Sequence, residues 1–378
     1  MRRGHNYEAE TIVKHLANPW IHGLASYEAG RPIEEVAREL GFDDIDEIVK
    51  VASNENALGP SPKAIAAMNK ASKKMHLYPD GACFYLRQAL ANRLGMHMDE
   101  VLVGNGSNEL IEFLGHVFLE PGTNIVMASD AFVVYRLMAS VFQAETIMVP
   151  SKDFTHDLEA MLKAITPKTR IVFVSNPNNP TGTMVDSAAL DRFMARVPER
   201  VVVVLDEAYI ELLPEDKQPD TLKYVRQGGK VYILRTFSKT YGLAGLRVGY
   251  AIAPKEGIDL LHRVRQPFNV NAMGQIAALA ALDDEEFVRH TRKMVAEGLE
   301  YLNKSFEKMG LSYVPSVTNF ILVKVGKGRH VFQELQRKKV IVRPMDGYGL
   351  PEYVRVTVGL KHENEHFIHA LGDVLKGS

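Results

Sequence analysis

LRTFSKTYGLAGLRVGY, residues 234–250, is the stretch around which the rest of the chain is organised. It follows a predicted buried strand, Val231 to Leu234, continues as a loop of small residues and resumes as an apolar strand from Val248. Lys239 lies in that loop among Ser, Thr and Gly residues. Because burial and a nearby cation such as Arg247 lower the pKa of a lysine, Lys239 is a candidate Schiff-base amine. A single loop lysine is more often a solvated surface residue, so the neighbouring motifs have to decide between the two.

Length, composition and charge narrow the class of protein to which this chain can belong. With 378 residues, 46% hydrophobic and 24% charged, it is typical of a soluble globular protein with a large domain and a smaller one. A formal net charge of −1 gives no electrostatic preference for nucleic acid or for an anionic membrane. The single cysteine, Cys83, excludes an internal disulfide or a thiolate zinc site. Arg2 and Arg3 are followed by polar residues and not by the apolar core of a signal peptide, and no apolar run has the length of a membrane span, so we expect a cytoplasmic protein.

Short apolar runs alternate with helical patterns between Val101 and Ala253, which is typical of an α/β fold with a mostly parallel sheet sandwiched by helices. The predicted strands of this part are 101–103, 125–127, 171–174, 201–205 and 231–234. Beyond it, helices are followed by short predicted strands at 320–323, 341–343 and 353–358 and by a last helix at 363–375. We therefore predict an N-terminal arm that joins the small domain, a large domain and a small α+β domain, at residues 1–52, 53–271 and 272–378.

Chemically distinctive residues follow the predicted strands, where ligands gather in such sheets. After the first strand, Gly106, Ser107 and Asn108 open a helix whose free N–H groups can cradle a phosphate. The stretch lacks the third glycine of a dinucleotide fingerprint, and a plain strand-to-helix turn is an equal alternative. After the second strand comes Phe132, which can stack on a planar ring or serve as a core aromatic.

The next strand ends supply an amide and a carboxylate. SNPNNPTG, residues 175–182, predicts a fixed irregular loop that presents Asn179 as a donor. Asp206 ends a buried strand, two residues before Ala208, and needs a cation there unless it only caps a helix. A phosphate cradle, an amide, a carboxylate and a lysine together describe a phosphorylated, cationic ligand with a carbonyl group. Pyridoxal 5'-phosphate has this chemistry, with Asp206 on its ring nitrogen and Asn179 and Tyr209 on its phenolic oxygen.

These motifs together resemble the fold type I pyridoxal-phosphate aminotransferases, in the aspartate-aminotransferase-like group. They occur in the family's order along nearly the whole chain: SNENALGPSP (53–62), YPDG (78–81), GNGSNE (104–109), NPNNPTG (176–182), DEAY (206–209) and FSKTYGLAGLRVGY (237–250). The resemblance implies that Lys239 bonds the cofactor aldehyde and that Phe132 stacks on the ring. It assigns the cofactor phosphate to Gly106, Ser107, Asn108, Ser238 and Arg247, with Tyr78 reaching it from the other subunit of a homodimer. Asn108 and Phe132 depart from the family pattern, where an acidic residue and a tyrosine are common.

Arg343 and Arg355 lie in short apolar runs near the end of the chain. A buried arginine requires an anion, and its fork suits carboxylate or phosphate, although surface arginines on alternating strands are the alternative. The spacing of this pair, residues 24–41 and PFNVN (267–271) are similar to those of histidinol-phosphate aminotransferases. In those enzymes the equivalents of Tyr27, Arg343 and Arg355 surround the substrate phosphate, and we add Asn179 to the expected substrate site.

The resemblance implies transamination between histidinol phosphate and 2-oxoglutarate in histidine biosynthesis. Aromatic-amino-acid aminotransferases and a threonine-phosphate decarboxylase share much of the pattern and remain alternatives. The expected partners are small-molecule amines and 2-oxo acids, in a homodimer with shared active sites and without nucleic acid or membrane. A scaffold that only binds the cofactor is disfavoured, because Lys239, Asp206 and Arg247 are all present.

One further motif points to a different class of protein. His362 to His366, HENEH, fits the zinc pattern HExxH, in which two histidines on one helix face bind the metal. The segment is polar and begins a predicted terminal surface helix, so we expect no metal site there. Adding zinc or a chelator would distinguish a metalloprotease from an aminotransferase.

Overall fold

The structure is a computed structural model that describes residues 9–26 and 30–377. The strands are β1 (Val49–Lys50), β2 (Val101–Gly104), β3 (Asn124–Ala128), β4 (Glu145–Val149), β5 (Thr169–Ser175), β6 (Val202–Asp206), β7 (Val231–Thr236), β8 (Gly249–Ile252), β9 (Tyr313–Val314), β10 (Phe320–Lys324), β11 (Val340–Ile341), β12 (Arg343–Pro344) and β13 (Tyr353–Thr357). The helices are α1 (Ala9–Leu16), α2 (Ile33–Leu40), α3 (Pro62–Ala71), α4 (Phe84–Leu94), α5 (Ser107–Phe118), α6 (Val134–Val141), α7 (Leu158–Ala164), α8 (Ser187–Met194), α9 (Leu222–Arg226), α10 (Lys255–Val264), α11 (Ala272–Leu282), α12 (Glu285–Lys308), α13 (Gly328–Arg337) and α14 (Lys361–Lys376).

A seven-stranded sheet forms the larger part of the molecule, in the order β2-β8-β7-β6-β5-β3-β4. The pairings of β8 with β2 and β7 are antiparallel, whereas the remaining pairings are parallel. Successive residues of β5 point to opposite faces, and both faces are apolar: Val172 and Val174 pack in one core cluster, and Ile171 and Phe173 in another. The predicted α/β class is confirmed.

The small sheet is antiparallel and four-stranded, in the order β12-β13-β10-β9. Ile321 and Val323 of β10 pack there against Phe306 of α12 and Phe367 of α14. Near the start of the chain, β1 pairs in parallel with β11, so the segment before the large sheet joins the smaller part of the molecule. This pairing agrees with an arm that joins the small domain, while the limits of the three domains stay predictions.

Several predicted elements differ from the observed ones. The predicted strand 341–343 is two strands in different sheets, because Ile341 pairs with β1 and Arg343 pairs with β13. β4 was not predicted, since its sequence ETIMV begins with exposed Glu145 at the edge of the sheet. α3 ends as an α-helix at Ala71, and the chain continues from there as a 3-10 turn, Ser72–Lys74. None of the described helices is long and apolar enough to cross a membrane.

The register of the large sheet brings the predicted site residues together. Ser175 at the end of β5 lies opposite Asp206 at the end of β6, and Asp206 lies opposite Leu234 of β7. The loops that carry Asn179 and Lys239 therefore leave the sheet side by side. From the small sheet, β13 brings Arg355 to the same edge, where it contacts Asn179.

Candidate active site

A cleft of about 400 Å³ is lined by residues from both sheets. Most of the predicted site residues line it: Ser107, Asn108, Phe132, Asn179, Asp206, Tyr209, Ser238, Lys239, Arg247, Arg343 and Arg355. Gly106 directly precedes Ser107 of this lining, and a Cβ at Gly106 would collide with the guanidinium of Arg247. The fold thus brings to one place predicted side chains that are far apart in the chain.

Lys239 lies on a loop whose path depends on glycine. Gly242 has a φ of +68°, and a Cβ there would lie 2.0 Å from the carbonyl oxygen of Gly59, so only glycine allows this approach. The same neighbouring segment supplies the carbonyl of Ser53, which accepts a hydrogen bond of 3.2 Å from Lys239 Nζ. Burial, followed by the charge of Arg355, lowers the pKa of Lys239 to about 8. A substantial fraction of this amine is therefore neutral near physiological pH, as a nucleophile or base requires.

Asp206 has a partner that the sequence did not reveal. Its Oδ2 accepts a hydrogen bond of 2.5 Å from the hydroxyl of Tyr135, and its Oδ1 accepts one of 3.2 Å from the amide of Ala208. Burial raises the pKa of Asp206 to about 6, whereas these bonds act in the opposite direction. The ring of Tyr135 stacks on Phe173 at 4.3 Å between centroids and is thereby fixed. The carboxylate is ionised at neutral pH and oriented to pair with a buried cation.

The start of α5 and Arg247 form the predicted phosphate cradle. Gly106 precedes the helix with a φ of +78°, and a Cβ there would lie 2.6 Å from Arg247 Nη2. On the other side, a Cβ at Gly249 would lie 2.5 Å from the backbone nitrogen of Ser107. The absence of side chains at these two glycines lets the guanidinium of Arg247 and the first residues of α5 lie close together at the wall of the cleft. Such a cradle suits a phosphate group.

Tyr209 is held by a residue outside the predicted set, whereas Asn179 is held by a predicted one. Asn54 donates a hydrogen bond of 2.9 Å from Nδ2 to the hydroxyl of Tyr209. Burial raises the pKa of Tyr209 to about 12, so its phenol stays neutral and can donate. Asn179 accepts a hydrogen bond on Oδ1 from Arg355. Asn54 belongs to the quoted motif SNENALGPSP, but its side chain role was not predicted.

Arg343 and Arg355 lie directly opposite each other on β12 and β13. Arg355 is only 6% exposed, donates 2.8 Å from Nη2 to the carbonyl of Ala52, and lies 5.2 Å from the ring centroid of Phe320. Arg355 is therefore buried, unlike the surface arginine that was the alternative prediction. Because like charges on directly opposed strand residues repel each other, an anion between them would be stabilising.

Besides Gly106, Tyr78 is a predicted residue that does not line the described cleft. Tyr78 is 83% exposed and stacks on Phe268, with 4.8 Å between centroids, so a role in the active site requires the other subunit. Tyr27 lies outside the described residues. The HENEH segment has a structural role, since Glu363 accepts a 2.6 Å hydrogen bond from the amide of Leu360 and caps α14. Within residues 9–26 and 30–377, no three His, Cys, Asp or Glu side chains are grouped so as to hold a metal ion.

Sequence comparison identifies the family. A family profile described as aminotransferase class I and II matches residues 46–371, and the chain belongs to this family. Histidinol-phosphate aminotransferase of Akkermansia muciniphila is 51% identical over 364 residues, which cover 96% of this chain and 99% of the relative. Histidinol-phosphate aminotransferase 2 of Pseudomonas aeruginosa is 48% identical, covering 95% and 98% of the two chains.

Solved structures agree with this result. The crystal structure of histidinol-phosphate aminotransferase from Sinorhizobium meliloti, in complex with pyridoxal-5'-phosphate, has a TM-score of 0.87 at 27% identity and covers 96% of this chain and 98% of that one. Aspartate aminotransferase from Thermus thermophilus with maleate has a TM-score of 0.81 at 21% identity, covering 95% of this chain and 99% of that one, and shares the fold.

Proposed function

We propose that this chain is a pyridoxal-phosphate-dependent aminotransferase that transfers the amino group of histidinol phosphate to 2-oxoglutarate, a reaction of histidine biosynthesis. The observation that carries the proposal is the 51% identity to histidinol-phosphate aminotransferase over 96% of the chain. The opposed pair Arg343 and Arg355 supports it from the side of the substrate, because this pair suits the phosphate dianion of histidinol phosphate.

The donor set of the cleft fits pyridoxal phosphate. Arg247, Ser238 and the start of α5 would hold the phosphate group, and the carboxylate of Asp206 would favour a proton on the ring nitrogen. Asn179 and Tyr209 bind the phenolic oxygen, and Phe132 covers one face of the ring. When bound, the cofactor supplies an aldehyde for the amino group and a ring that withdraws electrons from the reacting carbon.

Lys239 would hold the aldehyde end of the cofactor, and its amine would move protons. With a pKa of about 8, its Nζ can accept a proton at neutral pH and return it. Its carbonyl partner, Ser53, keeps Nζ on the side of the cleft where Arg355 also lies. A reaction that exchanges an amine and a ketone needs such a base between cofactor and substrate.

The substrate end of the cleft is formed by the smaller part of the molecule. Arg343 and Arg355 bind the phosphate of histidinol phosphate, and Asn179 is shared between substrate and cofactor. We propose that Tyr27, from the arm of residues 1–52, also contacts this phosphate. In this arrangement, residues 53–271 carry the cofactor and residues 272–378 carry the two arginines.

We further propose a homodimer with shared sites in the cytoplasm. Leu77, Tyr78 and Tyr85 are 58%, 83% and 72% exposed, and an exposed group of large apolar side chains is typical of an interface. Tyr78 then reaches the cofactor phosphate of the other subunit. The buried, unpaired Cys83 supports a reducing compartment.

The proposal is tested by product identification. Purified protein loaded with pyridoxal phosphate is incubated with histidinol phosphate and 2-oxoglutarate, and glutamate and the ketone phosphate are measured by mass spectrometry. We expect equal amounts of the two products. If products form only from phenylalanine or tyrosine, the chain is an aromatic aminotransferase. If carbon dioxide is released from threonine phosphate, it is a decarboxylase.

A further inference from the structure

We propose that Tyr348 is a specificity-determining residue that contacts the imidazole ring of the substrate, and that Arg136 is its positioning residue. This inference rests on the proposed function, since it concerns the part of histidinol phosphate that the arginines do not bind. Both residues lie outside the set predicted from the sequence. The evidence is the position of one short turn, Asp346–Tyr348, which we call the cleft turn.

The cleft turn carries Tyr348 into the wall of the active site. Tyr348 is half-buried, lines the 400 Å³ cleft and packs in a cluster with Leu322 and Met345. Its phenol is near enough to Tyr209 to contribute to the raised pKa of that residue. The ring therefore lies between the apolar cluster and the space beside the cofactor end of the cleft.

Tyr348 also separates this cleft from a second cavity. The second cavity has a volume of about 160 Å³ and is lined by Arg136, Arg329, Arg343 and Tyr348, among others. Arg343 and Tyr348 line both cavities, so they form the wall between them. The position of the tyrosine ring thus sets how far a substrate side arm can extend from Lys239.

The cleft turn is held from both parts of the molecule. Arg329 of α13 forms a 2.5 Å ion pair with Asp346. From the other side, Arg136 of α6 donates a hydrogen bond of 3.1 Å from Nη2 to the carbonyl of Gly347. Because α6 packs on the large sheet and the turn belongs to the small part, this bond ties the backbone that carries Tyr348 to the part of the molecule that holds Lys239.

The chemistry of the substrate end indicates what the ring contacts. Arg343 and Arg355 provide cationic groups for the phosphate, and Gly30, beside Arg343, adds no side chain to the cleft wall. Phe132 and Tyr209 are assigned to the cofactor, so Tyr348 has the remaining aromatic ring among the described residues that line the cleft. A flat, polarised imidazole gains from stacking or edge contact with such a ring.

The test compares two phosphorylated amines. Alaninol phosphate has the amine and phosphate of histidinol phosphate but a methyl group in place of the imidazolylmethyl arm. For Tyr348→Leu, which keeps the apolar packing, we expect kcat/KM for histidinol phosphate to fall about tenfold, with kcat/KM for alaninol phosphate within about twofold of wild type. Tyr348→Phe keeps the ring and should retain most of the activity on histidinol phosphate.

Arg136 is tested by separating kcat from KM. For Arg136→Gln, we expect the KM for histidinol phosphate to rise severalfold with kcat nearly unchanged, and Arg136→Lys should restore part of the loss. Arg289→Gln is the control, because Arg289 is an exposed residue of α12 paired with Glu286 at 3.8 Å. Thermal unfolding midpoints and dissociation constants for histidinol phosphate are measured for the wild type and for each of these variants.

The outcomes separate this inference from the proposed function. Wild-type protein that does not convert histidinol phosphate contradicts the proposed function. If wild type is active but Tyr348→Leu lowers kcat/KM equally for both amines, or if Tyr348→Phe is as poor as Tyr348→Leu, the ring contact is overturned. An Arg136→Gln variant with an unchanged KM for histidinol phosphate overturns the positioning role.

Discussion

At the residue scale, the lowered pKa of Lys239 links its surroundings to its chemistry. We predict that Lys239→Ala abolishes transamination, because the variant loses both the amine that attaches the cofactor and the base that moves the proton. Turnover is measured beside Lys255→Ala, a control on the exposed surface of α10 that pairs with Asp259. The wild-type protein should be yellow. Near-normal turnover by Lys239→Ala would remove this lysine from the mechanism.

The pKa of Lys239 also predicts a pH dependence. Burial and Arg355 lower this pKa to about 8, so the amine is mostly protonated below that pH and mostly neutral above it. The rate of covalent attachment of pyridoxal phosphate should therefore rise about tenfold per pH unit in acid and level off near pH 8. Stopped-flow absorbance measures the rate. A plateau reached only near the ordinary lysine pKa would contradict the burial of this amine.

The two arginines are expected to act as a pair. Replacing Arg343 or Arg355 by Leu should each cost about 2 to 4 kcal/mol in kcat/KM for histidinol phosphate, since a phosphate dianion loses a partner. Arg337→Leu serves as the control, because Arg337 is exposed and pairs with Glu334 at 3.4 Å. If Arg343→Leu is silent while Arg355→Leu destroys activity on carboxylate substrates, the chain acts on aromatic amino acids instead.

At the scale of elements, the loop that follows β7 depends on one backbone conformation. Gly242 has a φ of +68°, and a Cβ there would lie 2.0 Å from the carbonyl of Gly59. We expect Gly242→Ala to destabilise the protein by about 2 to 3 kcal/mol and to weaken cofactor binding, because the loop must move. Gly23→Ala is the control, as nothing lies within 4 Å of its Cβ. Denaturant unfolding and cofactor titration give both quantities, and an unchanged stability would refute the constraint.

The elements of the large sheet were predictable because their strands are buried on both faces. β5 and β7 were found as apolar runs three and two residues shorter than observed, and β6 was found as a run of the same length shifted by one residue. β4 was missed, since an edge strand with exposed Glu145 and Met148 lacks this signal. The predicted strand 341–343 was wrong as a single element, because its residues pair with distant strands that local sequence does not specify.

The candidate site was predictable only in part for the same reason, since local sequence does not specify contacts between distant residues. Residues with distinctive chemistry at strand ends, such as Lys239 and Asp206, were identified from the sequence. Asn54, Tyr135 and Tyr348 were not, because each acquires its role from a contact with a residue distant in the chain. Tyr135 lies in α6, three positions after Phe132, and their rings meet edge to face at 5.6 Å between centroids, so a second aromatic residue this close to Phe132 is the signal that would have revealed it.

At the scale of the whole molecule, the shared site predicts complementation between subunits. In a hybrid dimer, one subunit carries Lys239→Ala and the other Tyr78→Ala. The second subunit keeps its lysine and receives an intact tyrosine from the first, so one site is complete. Activity should return to roughly half of wild type per hybrid dimer. A hybrid no more active than either parent would place Tyr78 in its own subunit's site or outside the site.

The most direct test of the proposed activity is the ratio of kcat/KM for histidinol phosphate to kcat/KM for phenylalanine, measured on wild-type protein with saturating 2-oxoglutarate. Because a phosphate dianion between Arg343 and Arg355 is bound more strongly than a single carboxylate, we predict a ratio of at least about a hundredfold in favour of histidinol phosphate. A ratio near one, or in favour of phenylalanine, would contradict the proposed function.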